Sequence, residues 1–299
     1  MRRLHYHLLD VFTNERFGGN QLAVFTNGRG IAPEHMQRIA KELNLSETTF
    51  VLPPEDAAND WKVRIFTPAR ELPMAGHPTV GTSFVLAREH MVNVSSSSPV
   101  IRLEEGVGLI PVTFHFKNSE QPLIQMQQRN PTFSPELSDR QLVADVLSLS
   151  ITDLDDLPAQ EASCGVPFLY IPIKSLAAIQ KIKFRTDIWE HALSQYGEIF
   201  TFTRETLFPT SSVHSRMFAP SMGIAEDPAT GAASGPLGSY LVKYGLVDGN
   251  PAHIISEQGF EMGRPSYIHI EIRQEDGAIN FVGVGGHCVY VGEGFIEVE

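Results

Sequence analysis

Cysteine is scarce in this chain, and positive charge is well outnumbered by negative. Its 299 residues contain two cysteines, Cys164 and Cys288, with no CxxC spacing and no even framework. That excludes a disulfide scaffold and a cysteine zinc site, and both thiols are expected to be buried. Lys and Arg total 23 against 35 Asp and Glu, a formal charge of −12 at pH 7. Such a balance argues against nucleic acid or an anionic membrane surface as partner. No apolar run approaches the ~18 residues of a membrane span, and the opening MRRLHYHLLDVFTNERF meets Asp10 too early for a signal peptide, so the cytoplasm is the expected location. There is no HExxH; His5 and His7 form an HxH with no acidic cluster beside it in sequence, so no metal is expected. The glycines at 283–286 run into strand-like HCVYV rather than a helix, which fails the context of a dinucleotide site, GRPS (263–266) reads as a turn, and no GxSxG marks a hydrolase.

What is present is an ordinary globular composition, 42% hydrophobic and 19% charged, at a length that suggests two domains on a prior of roughly 150 residues each. Period-two alternation dominates. It marks strands at 5–12, 21–27, 48–53, 61–68, 108–116, 168–173, 252–259, 267–273 and 287–298, with Ile268, Ile270 and Ile272 sharing one face. Helical spacing of Met36, Ile39, Ala40 and Leu43 predicts a helix over Pro33–Leu43, and a second covers 187–196. The stretches 92–100 and 117–122 read as exposed loops, the second near the half-chain boundary. The fold class is α+β, mostly β.

An internal repeat organises the chain. GHPTVG, at 76–81, and EDPATG, at 226–231, are separated by about half the chain, and IFTP (65–68) faces MFAP (217–220) upstream. Each proline is expected at the first position of a helix that is apolar or small on nearly every face, hence one buried central helix per half. The first-turn amides, 79–81 and 229–232, would then be available to a small carboxylate, with glycines allowing close approach. Asp227 suits an N-cap, whereas His77 is a poor cap, and a helix start favours its neutral form, able to give or take a proton. Glu47, between the first helix and the next strand, reads from its neighbours alone as a surface carboxylate or the partner of a backbone amide; only shielded in a cleft would its raised pKa suit proton abstraction.

The stretches VFTNERFGGNQLAVF, LNLSETTFV, FTPARELPMAGHPTVG, MFAPSMGIAEDPATGAA and SEQGFEMGRPS occur in the order and spacing of the phenazine biosynthesis PhzF family, and the chain resembles that family over nearly its whole length. The resemblance implies a diaminopimelate-epimerase-like fold of two pseudo-symmetric domains, each a β-barrel-like sheet around a central helix with the active site in the cleft between them. It places the first domain at 1–118, completed by about 285–299, and the second at 119–284. It implies a cofactor-free isomerase, commonly a homodimer, with Glu47 as general acid/base, His77 and Asp227 as its catalytic partners, and Asn20, Ser46, Gly76, Gly231 and Ala232 around a small anionic metabolite. Gln21 stands where the family usually has proline, and Ala232 where serine is common. The epimerases of this fold use two cysteines; Ala75 and Ala232 stand near those positions here, which argues against a two-thiol racemase. Two other functions fit the same residues, a non-catalytic small-anion-binding protein and a lyase using the same carboxylate base.

Overall fold

The computed structural model describes residues 2–117 and 121–298. The chain divides into two compact units, Met1–Gln127 with Val284–Glu299, and Gln128–Gly283. The boundary expected at 118/119, like part of the loop expected over 117–122, lies outside the described residues.

In chain order the elements are β1 (Arg2–Val11), β2 (Asn20–Phe25), α1 (Pro33–Leu43), β3 (Glu47–Leu52), β4 (Trp61–Phe66), β5 (Glu71–Leu72), α2 (Gly76–Arg88), β6 (Val100–Glu105), β7 (Gly108–His115) and β8 (Leu123–Gln128). They continue as β9 (Thr132–Leu137), α3 (Arg140–Val146), β10 (Ala159–Ser163), β11 (Pro167–Pro172), α4 (Leu176–Gln180), α5 (Thr186–Ala192), β12 (Glu198–Thr203), β13 (Val213–Ala219) and β14 (Ile224–Asp227). Last come α6 (Gly231–Lys243), β15 (Ala252–Gln258), β16 (Ser266–Glu275), β17 (Ala278–Gly286) and β18 (Cys288–Val298). No helix among the described residues is long and apolar enough to cross a membrane.

The two units repeat one topology. In the first, β1 pairs antiparallel with β2, β2 crosses through α1 to a parallel β3, and β3, β4 and β5 follow antiparallel. The chain then runs through α2 into β6, parallel to β4, and turns antiparallel into β7. In the second, β10 pairs antiparallel with β11, β11 crosses through α4 and α5 to a parallel β12, and β12, β13 and β14 follow antiparallel. The chain then runs through α6 into β15, parallel to β13, and into antiparallel β16. So α2 and α6 occupy the same topological position, and the paired motifs IFTP and MFAP close the equivalent strands β4 and β13.

Both central helices are buried on nearly every side, so neither has an amphipathic stripe. Small residues let the sheets approach. A Cβ at Gly81 would stand 2.6 Å from Leu22 Cδ2 and 2.7 Å from Val11 Cγ2, and one at Gly238 would stand 2.5 Å from Ile270 Cγ2. On the other side of the first sheet α1 lays Met36, Ile39 and Ala40 on Phe25, Phe50 and Phe66, the first two rings stacked 4.8 Å apart. Pro33 opens α1 and Asn44, at φ 50°, closes it. In the second unit α3, α4 and α5 bury Val143, Ile179 and Trp189 against β11 and β12.

Three readings of the helices need correction. Pro78 is the third residue of α2, not the first, and Pro228 lies between β14 and α6. A proline is tolerated anywhere in the first turn, where N–H groups have no intrahelical partner, so it locates a start only to within a turn. The helix expected over 187–196 ends at Ala192, and α3 and α4 were not anticipated, although Asp139 and Ser175 cap them by accepting from the N–H groups of Leu142 and Ala178.

Candidate active site

Glu47 and His77 meet within the first unit. Asn44 turns the chain out of α1, half-buried Ser46 follows, and Glu47 opens β3 opposite Leu22 of β2, with 8% of its surface exposed. His77 is the second residue of α2 and is 4% exposed; its Nε2 stands 3.1 Å from Glu47 Oε2. Burial, only partly offset by a hydrogen bond to the Gln21 backbone, pushes the His77 imidazole down to about 3, so the ring is neutral at any physiological pH. The neutral form expected from the helix start therefore has burial as its main cause. Buried Asn20 opens β2 one residue before Gln21, and buried Gly76 opens α2 one residue before His77. The helical amides without an intrahelical partner at this start belong to Gly76 and His77, ahead of the 79–81 expected.

Beneath this turn lies a carboxyl that sequence reasoning missed. Thr79 Oγ1 is 2.6 Å from the Ala75 carbonyl and 2.5 Å from Oε1 of Glu105, the last residue of β6. The hydroxyl has one hydrogen, so when it is given to Ala75 the second contact needs a proton from Glu105. Burial pushes the Glu105 carboxyl up to about 8, against a smaller opposing effect of the Thr79 bond, so at neutral pH it holds that proton. A lone glutamate at the end of an alternating strand carries no signal of this.

Asp227, Gly231 and Ala232 lie in the second unit. Asp227 ends β14 and is not an N-cap; Thr230 precedes the first helical residue, Gly231. The Asp227 carboxylate accepts from Thr230 Oγ1 at 2.6 Å, while Gln258 Nε2 donates to the Asp227 carbonyl at 2.8 Å and Gln258 Oε1 accepts the Thr230 N–H at 3.2 Å. The amide of Thr230 is thus already committed, and the expected amide set 229–232 narrows to the helix start at 231 and 232. Gly231 is buried and Ala232 half-buried. Gln128 Nε2 donates to the Gly231 carbonyl at 2.9 Å and Tyr170 Oη to the Ala233 carbonyl at 2.6 Å, clamping the opening of α6. Gln258 sits in the SEQG motif, which was the available signal for it; Gln128 and Tyr170 had none.

The cysteines are elsewhere. Both are buried; burial pushes the Cys164 thiol up to about 12 and the Cys288 thiol higher, so neither is a thiolate base.

A two-unit fold in which each unit repeats one sheet-and-helix topology around a buried central helix defines the class, an epimerase-like fold. The hydroxyproline epimerase of Agrobacterium vitis shares that fold at a TM-score of 0.70 and 10% identity, covering 99% of this chain and 92% of its own. The PhzC-PhzF family, described as phenazine biosynthesis-like protein, matches residues 9–294, and the chain belongs to it. The Bacillus anthracis phenazine biosynthesis protein of the PhzF family has a TM-score of 0.92 and 26% identity, with both chains covered in full. The trans-2,3-dihydro-3-hydroxyanthranilate isomerase of Pseudomonas fluorescens is 33% identical, over 98% of this chain and 99% of its own. By this membership the protein is an isomerase.

Proposed function

We propose that the protein isomerises a small cyclic or amino-carboxylate substrate by moving a proton, with Glu47 as the general acid/base and no cofactor. The observation that carries this is the 3.1 Å approach of Glu47 Oε2 to Nε2 of a neutral His77. A neutral imidazole has one N–H. With that N–H given to the Gln21 carbonyl, the Nε2 lone pair faces Glu47, and the two hydrogen-bond only while Glu47 holds a proton. One mobile proton therefore belongs to the pair. Glu47 takes it from one substrate carbon and returns it to another, and His77 steadies the protonated stage; a positioned acid/base of this kind contributes ~10²–10⁴ in rate. In the first unit the amides at the start of α2 suit a substrate carboxylate; in the second, Asp227, held by Thr230 and Gln258, suits an amino or hydroxyl group. The Pseudomonas relative's name supplies the first compound to try, with Ala232 offering its amide but no hydroxyl.

The test is proton NMR in D₂O with dihydro-hydroxyanthranilate and other small cyclic carboxylates. Wild type is expected to place deuterium on one substrate carbon, and Glu47→Gln to bind without exchange. Undiminished exchange in Glu47→Gln would remove the assignment, and binding without exchange in wild type would make this a binding protein.

A further inference from the structure

The HxH of β1 acquires, in three dimensions, the acidic companions it lacks in sequence. The β1–β18 register sets His7 directly opposite Glu293 and His5 one diagonal away, so all three project from one face of the ladder. It is the face on which α2 packs, since Leu9 and Val11 of the same alternation meet Gly81. The helix ends at Arg88, and Glu89, its C-cap residue, lies beside His7. One ligand atom each from His5, His7 and Glu293 lies within 4.8 Å of the others. His5 Nε2 is 3.2 Å from Glu293 Oε2, and His7 Nδ1 is 3.8 Å from Glu89 Oε1. The edge of a tetrahedron with metal–ligand bonds of ~2.0–2.2 Å is about 3.4 Å.

His7 supplies the second observation. It is 1% exposed, and its Nδ1 is buried with no hydrogen-bond partner, an expensive state for a polar atom turned toward two carboxylates and another imidazole. The other neighbours are Tyr290, whose hydroxyl donates to Glu293 at 3.0 Å, and Arg88, which lies over the Tyr290 ring with its Nε 3.8 Å from Glu89. The carbonyl end of α2 adds negative potential at the same place.

We propose that His5, His7, Glu293 and Glu89 form a site for a divalent first-row transition ion of the zinc class. Two imidazoles and two carboxylates are borderline donors, suited to zinc or cobalt and unsuited to magnesium or calcium, which take oxygen ligands. The side chains of His5 and Glu293, 33% and 58% exposed, close the remaining gap by rotating about their own bonds, while buried His7 stays fixed. None of the four belongs to the candidate active site. The ion acts as a clip, tying the far end of the helix that carries His77 to the strand pair β1–β18.

The experiment uses the untagged, EDTA-treated full chain, titrated calorimetrically with zinc chloride and followed by cobalt absorption. The expected result is one equivalent of zinc, a tetrahedral cobalt spectrum, no response to magnesium, and a melting temperature that rises with zinc. His5→Ala and Glu293→Gln, both at partly exposed positions and checked for unchanged circular dichroism, are each expected to weaken zinc binding at least about tenfold and to lose the melting shift. Absence of zinc binding in the wild type overturns the proposal. So does unchanged affinity in both variants, which would place the ion on other histidines.

Discussion

At the scale of single residues, His77 in the first turn of α2 and Glu105 of β6 beneath it are two buried groups whose protonation pulls stability in opposite directions. His77 has a folded pKa of about 3, below its ordinary 6.5, so the unfolded chain binds more protons between those values and this contribution is lost as pH falls from 6.5 toward 3. Glu105 is raised from 4.5 to about 8, so the folded chain binds more protons and stability is lost as pH rises through that window, at up to ~1.4 kcal/mol per pH unit. Glu105→Gln, which imitates the protonated acid, is expected to flatten that loss, so that its urea midpoint relative to wild type climbs between pH 5 and pH 8. A constant difference across that range would show that Glu105 does not titrate there. Because His77 stays neutral, kcat/KM should show no inflection near 6.5 that His77→Asn removes.

At the scale of elements, helix α2 is held against β1 and β2 by the absence of a side chain at Gly81. Gly→Ala on an open helix gains about 1 kcal/mol. Here the added methyl meets Leu22 and Val11, and overpacking costs about 1–3 kcal/mol, so Gly81→Ala is expected to be destabilising on balance in urea unfolding, with turnover falling as His77 shifts. The second unit has its own tie. His214 on β13 is 3.0 Å from Glu257 on β15 and 2.9 Å from Glu261 in the turn that follows. Burial would lower its pKa, but the hydrogen bonds that the ring donates to both carboxylates prevail and raise it to about 9. His214→Gln leaves buried Glu257 and half-buried Glu261 without their cation and is expected to cost roughly 3 kcal/mol; in the wild type the same tie weakens as pH rises from 6.5 through 9. The strands were legible because alternation survives wherever one face is buried: Ile268, Ile270 and Ile272 are all at or below 2% exposed. The helix starts were not, because Pro78 and Pro228 satisfy the first-turn rule without marking its first residue. The pair Glu47–His77 was legible only as two motifs; nothing local to either says that parallel pairing of β2 and β3 brings them together.

At the scale of the whole molecule, the repeat visible in two short motifs extends to complete topology, which sequence could not show because α1 in one unit is replaced by α4 and α5 in the other. The units also differ in continuity. The second is one uninterrupted stretch, Gln128–Gly283, whereas the first is completed by Val284–Glu299, from which β18 pairs along β1 from Arg2↔Val298 to Val11↔Cys288. Removing residues 284–299 should abolish hydrogen-exchange protection of β3 and β4 amides while leaving β12 and β13 protected. Protection retained in β3 would mean that β18 is dispensable to the sheet that positions Glu47. This discontinuity has a consequence for synthesis. Domains ordinarily fold in the order in which they leave the ribosome, but here the first unit must wait for residues 284–299, which are translated after the whole of the second unit, while the second can close beforehand. The Glu47–His77 pair is therefore assembled only after residues 284–299 have left the ribosome, so a chain that stalls before them carries both residues without the sheet that brings them together.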